Sequence, residues 1–556
     1  MFLKFDIDSC KDCYSCLRHC PVKAIDFTNN KAEIIEEQCI LCGECVHVCP
    51  QNAKKVYSDV DNVKKLIKEN DNVALIVAPS FISNFNVDNF LSFAESCKKL
   101  GFKYVEEVAL GAKYVTKEYK RLLDEGKYKV LISSCCPASN DFLRMCYPNA
   151  IKYLAPVITP MIATARILKQ KYDENLKIVF VGPCIAKKKE ALNYPEVEYA
   201  LTFEEIQTMF NEKNINFEHI ESINHETNLA RFYPINRGII KSFGETLPAN
   251  YDSLSIDGGN ELRQTLANIE ELDHVFIEMN MCEGGCINGP CKISTSSPIK
   301  ANAVLRSYVK KNVDKIQNED NYNIDLTCKF TPIITNKKIP TEEEIRKILE
   351  RIFKFKKEDE INCGACGYPT CREKAIAVFN GTADPEFCMP YLKNKAESIS
   401  NEIIEHTPNG IISVNQEGYI LDINSRAVEY LNIENDVVGK FYQEVFDLPE
   451  LLVALDEEKN IDSVIVYEEK KNMYFDVSIT YVKDQKMAFA IYKDVTLETL
   501  NEEKMKSLRQ EMISVTDEVI NQQMAAVQEI ASLLGESTAK AKIALINFKN
   551  TLKEDK

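Results

Sequence analysis

The sequence predicts a multidomain chain that joins α+β and α/β folds. Three observations predict it. A cysteine run near the N-terminus repeats itself, a long central stretch alternates apolar strand-like runs with helical patterns, and a cysteine-free stretch further on alternates short strands with Gly and Asn turns. With 556 residues, 45% of them hydrophobic, the chain has material for about three to five packed domains.

Composition narrows the function. The chain carries 84 acidic and 68 basic residues, a net charge of −16. This argues against a nucleic-acid surface and against an anionic membrane face, both of which need clustered Lys and Arg. Met1 to Phe5 run straight into a cysteine cluster, which leaves no room for a signal peptide. The longest apolar run, Val73 to Phe81, falls well short of the ~20 residues of a spanning helix. The expectation is a soluble, cytoplasmic protein. In a reducing compartment, the two-residue gaps among the 21 cysteines suit metal ligation better than disulfides. Cys97, Cys146 and Cys328 stand alone and read as buried structural thiols.

Residues 1–55 hold the repeat. Cys10, Cys13, Cys16, Cys20 and Pro21 recur as Cys39, Cys42, Cys45, Cys49 and Pro50. This is the spacing of bacterial two-cluster ferredoxins, in which the fourth cysteine of each run ligates the other cluster. That pattern assigns one 4Fe–4S cluster to Cys10, Cys13, Cys16 and Cys49, and a second to Cys39, Cys42, Cys45 and Cys20. Zinc or disulfides are the alternative. Residues 56–70 read as a charged helical connector.

In residues 72–299, strand-like runs Val73–Val77, Val130–Ser133, Ile178–Val181 and His274–Glu278 alternate with helical patterns, as in parallel α/β layers. Chemistry in such sheets sits at the carboxyl ends of strands. Four segments follow those ends: Ala78-Pro79-Ser80; Ser133-Ser134-Cys135-Cys136-Pro137; Gly182-Pro183-Cys184-Ile185-Ala186-Lys187; and Met281-Cys282-Glu283-Gly284-Gly285-Cys286. Read as residues alone, these are strand-end thiolates able to hold another 4Fe–4S cluster, with glycines that let backbone approach an inorganic ligand.

Together the four segments resemble the catalytic domain of FeFe hydrogenases. The resemblance implies that Cys136, Cys184, Cys282 and Cys286 hold the cubane of an H-cluster. Cys286 would also bridge to a two-iron subsite bearing CO, cyanide and a dithiolate amine. Lys187 and the Pro79-Ser80 backbone would bond the cyanides, and Cys135 would pass protons; the bland alternative for Cys135 is a passive core thiol. The implied chemistry is heterolytic splitting of hydrogen. The departures from the family pattern are specific: Ser139 stands for the usual Trp, Gly182 and Asn280 for Met, Met161 for Gln, and Gly289-Pro290-Cys291 for three glycines. Glu118, followed by Tyr119, is what remains of a proton path usually richer in acids. Retained ligands with altered surroundings imply cluster binding with low turnover, which is similar to the sensory subgroup of the family.

Residues 300–355 read as a polar connector. Residues 356–392 carry Cys363, Cys366, Cys371 and Cys388, a four-thiolate set resembling small 4Fe–4S domains, with zinc as the alternative. Its place between the central domain and the C-terminal part suggests a relay. Residues 395–496 resemble a PAS domain, with the Pro408-Asn409-Gly410 entry, Gly418 to Asn424 and later strands Ser463–Tyr467, Tyr474–Val482 and Ala488–Asp494. What ligand it holds, if any, is not specified by its residues. Residues 497–556 read as amphipathic helices broken near Gly535, suited to a homodimer or to a kinase or phosphatase partner.

The whole chain therefore reads as a hydrogen-sensing FeFe hydrogenase-like protein. It would react reversibly with H2 and protons, exchange electrons with a partner such as ferredoxin, and signal through its Fe–S clusters and PAS domain. The alternatives are a ferredoxin-linked turnover hydrogenase and a non-catalytic Fe–S electron carrier.

Overall fold

The computed structural model describes the chain except residues 1, 7, 28–31, 221–227, 245–246, 248–250, 294–296, 311–321, 336, 434–435, 535–541, 543–544 and 552–556, and the side chains of 529–534. The helix break expected near Gly535 and the apolar position Ile543 lie outside the described residues. The chain divides into two units, Met1–Leu392 and Lys393–Lys556.

The first unit begins with two small antiparallel ladders, Leu3–Phe5 on Lys54–Val56 and Ile25–Asp26 on Glu33–Ile34. The internal repeat is visible in three dimensions. Short helices Ser15–His19 and Glu44–His47 carry the two cysteine runs. The fourth cysteine of each run accepts from the backbone N–H four residues on: Ala24 N to Cys20 Sγ and Ala53 N to Cys49 Sγ, both at 3.3 Å. The helix Val60–Glu69 leads on to the central region, tied there by Lys188, whose buried ammonium bonds Asp59 at 2.8 Å and Glu205 at 2.9 Å.

The central region contains two parallel sheets. One has strand order Tyr104–Glu107, Val73–Val77, Lys177–Gly182, Tyr199–Thr202. The other has order Asp252–Asp257, Val275–Asn280, Val130–Ile132. Every residue of Val73–Val77 and of Val275–Asn280 is buried, as all-parallel strands covered on both faces require. Each sheet sends two of the sequence segments from its carboxyl edge. Pro79 and Cys184 follow strands of the first; Cys135, Cys136 and Cys282 follow strands of the second.

The segment read as a polar connector is partly core. Helix Pro298–Lys310 buries Ala301, Leu305, Tyr308 and Val309 against the central region. Tyr308 joins a buried ion pair, Arg231 Nε to Glu107 Oε2 at 2.8 Å, by donating to Glu107 Oε1. Helix Glu342–Glu350, started by a Thr341–Glu344 capping box, packs on helix Cys371–Phe379 around Ile345, Leu349 and Ala375.

The second unit is a five-stranded antiparallel sheet in the order Ile420–Ile423, Gly410–Asn415, Met487–Asp494, Met473–Val482, Ile461–Glu468. Alternate residues of Gly410–Asn415 and Met473–Val482 face a core that includes Tyr442, Phe475 and Tyr492. Helix Thr496–Leu534 leaves the last strand. Among the described residues no helix is long and apolar enough to cross a membrane.

Candidate functional site

The carboxyl edges of the two sheets meet at a cavity. Its wall includes Pro79, Cys135, Cys136, Cys184, Lys187 and Cys286, together with Met161, Phe180, Tyr233 and Asn280. Cys136 caps helix Pro137–Cys146, whose Pro at the first turn needs no N–H partner. Cys184 and Lys187 bracket the start of helix Ala186–Asn193. At Gly182 an added Cβ would lie 2.6 Å from the Phe180 ring, so any side chain there would require that ring to shift.

The four ligand candidates are electrostatic neighbours of one another. Burial, followed by the Cys184, Cys136 and Cys286 thiols, pushes Cys282 far up from its ordinary range. Burial and then Cys136 push Cys184 up to about 11. Burial and then the same neighbours raise Cys286. Buried thiols that oppose one another's ionisation become thiolates only when a positive core joins them, which is the chemistry of an iron–sulfur donor set.

Cys135 is different. Burial pushes it up to about 12, against the lowering effects of Tyr119 and Lys187. Its Sγ is 3.2 Å from Tyr119 Oη. The ligand candidates are raised as well; what sets Cys135 apart is this contact with the buried Tyr119 phenol. Lys187 Nζ bonds Thr159 Oγ1 at 3.0 Å and Glu190 Oε2 at 2.6 Å. Burial lowers its affinity for the proton, but Glu190, Cys184 and Cys135 raise it further, so it stays an ammonium. Ser80 is fully buried beside Pro79, and its Oγ has no hydrogen-bond partner. Ser80 is not part of the cavity wall, to which its neighbours Ala78 and Pro79 belong. Pro79 has no N–H, so the donors of this segment are the Ser80 N–H and hydroxyl. Glu118 does not line the cavity; it pairs with Arg121, Nη2 to Oε1 at 2.6 Å, while its neighbour Tyr119 turns inward to Cys135.

Sequence reading missed Thr159, Glu190 and Glu278. The spacing of Lys187 and Glu190, one helical turn apart, was the available signal for one of them. Glu278 is fully buried and accepts from the N–H groups of Gly238, Ile239 and Ile240 at 2.8–3.1 Å. Burial nevertheless lifts its carboxyl to about 7, and it is an electrostatic neighbour of Cys135.

Several N-terminal thiols are electrostatic neighbours. Cys16 interacts with Cys10 and Cys13, and Cys45 with Cys20 and Cys39. Cys42 interacts with Cys20, Cys45 and Cys39. This second group abuts the central one: Cys42 is an electrostatic neighbour of Cys282, and His47 Nε2 lies 2.9 Å from Asn288 O. At Gly43, with φ of +77°, an added Cβ would lie 2.4 Å from Pro290, so this approach requires glycine. Cys363, Cys366, Cys371 and Cys388 line a further small cavity with the buried Lys374. Among the described residues no three His, Cys, Asp or Glu side chains converge tightly enough to hold a single metal ion.

Family models match three stretches. Residues 71–290 match the iron only hydrogenase large subunit, C-terminal domain. Residues 2–68 match a 4Fe–4S dicluster domain, and residues 359–390 an Fe–S cluster model. With the thiol groups above, these define a protein of the multi-cluster iron–sulfur class. More particularly, the chain is an FeFe hydrogenase-like protein. It is 24% identical over 372 residues to the NADP-reducing hydrogenase subunit HndD of Solidesulfovibrio fructosivorans, covering 51% of this chain and 63% of that one. It is 23% identical over 352 residues to the nuclear prelamin A recognition factor of Xenopus laevis, covering 48% and 76%. The chain thus spans under two thirds of the hydrogenase subunit's length. Among solved structures, an FeFe hydrogenase from Chlamydomonas reinhardtii is 17% identical, covers 47% of this chain and 91% of its own, and has a TM-score of 0.38.

Proposed function

We propose that this protein reacts reversibly with hydrogen, at low turnover, and reports its presence. The observation that carries this reading is the cavity where Cys136, Cys184 and Cys286 meet Cys135 and Lys187. When bound there, an H-cluster supplies the splitting of hydrogen; the protein supplies position, proton transfer and electron transfer. Cys136, Cys184, Cys282 and Cys286 would hold it. The Lys187 ammonium and the Pro79-Ser80 backbone would orient its anionic ligands by hydrogen bonds. Cys135 holds the proton at its Sγ, next to Tyr119. The apolar wall excludes water.

Clusters held by the Cys42 group and by the other N-terminal group, where Cys13 is exposed, would offer a route for electrons to a redox partner such as ferredoxin. The strand order of the second unit supports the PAS reading. In helix Thr496–Leu534, exposed Met505, Leu508, Met512, Val515 and Val519 recur at alternating steps of three and four. That spacing suits a paired helix, so a homodimer, or docking of a kinase or phosphatase, is the output we assign. Thiol cages of this kind belong in a reducing compartment such as the cytoplasm.

The test is hydrogen-dependent reduction of the clusters in the matured protein, followed by loss of their visible absorbance, with dye-coupled hydrogen oxidation measured alongside. Reduction with slow dye turnover, both abolished in Cys135→Ala, supports the sensor. Fast turnover supports the ferredoxin-linked enzyme. The rival electron-carrier reading is favoured by the Lys187–Glu190 pair, which already engages one donor of the ammonium. It predicts no response to hydrogen at all.

A further inference from the structure

The third thiol group lies within the first unit. It is packed on the N-terminal domain. Tyr14 stacks on Phe387 with ring centroids 3.7 Å apart. Gly367, at φ of +92°, approaches so closely that an added Cβ would lie 3.0 Å from Leu17 Cγ and 3.3 Å from Arg18 N. Lys337 Nζ reaches Val22 O at 3.3 Å.

The wall between the two thiol groups is specific. Lys23 Nζ is held by Leu17 O at 3.0 Å and Arg18 O at 2.9 Å, and its electrostatic neighbours include both Cys20 and Cys366. Tyr368, 4% exposed, is a neighbour of the same two thiols. Cys20, Lys23, Gly367 and Tyr368 line one cleft, so one cation and one aromatic ring stand where the two groups meet. The Cys20 group also neighbours the central site, through Cys42 and Cys282 and the His47–Asn288 contact, and the first N-terminal group, through Cys45 and Cys16.

We propose that the Cys39, Cys42, Cys45 and Cys20 cage is a branch point, and that the Cys363, Cys366, Cys371 and Cys388 cage receives electrons from it across the Lys23–Tyr368 wall. The step is a one-electron exchange: the cluster in the Cys20 cage is oxidised, the one in the Cys366 cage is reduced, and no bond or proton moves. Electrons arriving from the central site then have two outlets. One is the exposed Cys13; the other is the exposed Cys363, whose cage ends at Cys388, the residue before helix Met389–His406. This rests on the 4Fe–4S reading of the small cages and not on the two-iron subsite.

The experiment uses the full chain reconstituted with iron and sulfide alone, reduced with dithionite and examined by electron paramagnetic resonance. The wild type should show the third-cage signal broadened by spin coupling. Cys39→Ala should return it to a simple unsplit signal, and Cys13→Ala should leave the coupling in place. An unsplit wild-type signal, or coupling that survives Cys39→Ala, overturns the branch. Should Cys39→Ala fail to fold, Lys23→Met decides: the midpoint potentials of both clusters fall together if the cation is shared, and a shift of one alone, or of neither, overturns the proposal. Iron content of the same samples separates failure of the branch from failure of the cluster reading.

Discussion

Tyr119 Oη lies 3.2 Å from Cys135 Sγ and 2.9 Å from Ser134 Oγ, and it accepts from Ser134 N at 2.8 Å. This fully buried phenol is the direct polar neighbour of the thiol assigned to proton transfer. Tyr119→Phe removes the contact while keeping the ring. The expected outcome is about a tenfold loss of hydrogen oxidation, corresponding to about 1.4 kcal/mol. Stability should fall by about 1–3 kcal/mol, because Ser134 N loses its buried acceptor. Dye-coupled kinetics and denaturant unfolding read the two effects separately.

Glu278 makes stability depend on pH. Its carboxyl is raised from 4.5 to about 7 in the folded protein, chiefly by burial. Between those values the folded state holds a proton that the unfolded chain has released. The stabilisation is present below about pH 4.5 and is lost as pH rises through 7, a change of roughly 3 kcal/mol. Thermal unfolding of wild type across pH 5 to 8 should show this decline, and Glu278→Gln should flatten it.

Arg231 and Glu107 form a buried pair near Tyr233, which lines the cavity. Arg231→Met leaves the Glu107 charge without its cation. The expected cost is about 3–5 kcal/mol, measured as a lowered denaturation midpoint. The double variant Arg231→Met with Glu107→Leu should recover part of it, since no buried charge then remains.

Gly43 sets the distance between the Cys42 loop and Pro290. Gly43→Ala introduces a Cβ into backbone at φ of +77° and into contact with Pro290. The N-terminal domain should then seat less closely on the central region. Hydrogen-driven reduction of the N-terminal clusters should slow, while dithionite still reduces them.

Much of this was legible in the sequence. Cysteine ligands are local signals, because spacing within a run fixes which loop carries them. The strands Val73–Val77 and Val275–Asn280 were legible as short apolar runs, the second displaced by one to two residues at its ends. The rest depends on contacts between distant residues. Thr159 and Glu278 carry no local pattern that marks them as neighbours of Lys187 and Cys135. The helix Pro298–Lys310 was read as polar connector because its four buried residues sit beside a charged stretch that masks them. The seat of the Cys366 cage on the N-terminal domain depends on Gly367 and Tyr368 meeting Leu17 and Lys23, a match that no one-dimensional period encodes.

The central claim is that a two-iron subsite binds beside Cys135, Lys187 and Pro79. The direct measurement is an infrared spectrum of the full protein after maturation with a two-iron precursor, recorded under argon and then under hydrogen. The claim predicts CO and cyanide bands that shift under hydrogen, with the cyanide bands moved further by Lys187→Met. A spectrum without those bands, from protein whose cubane iron is present, would contradict it.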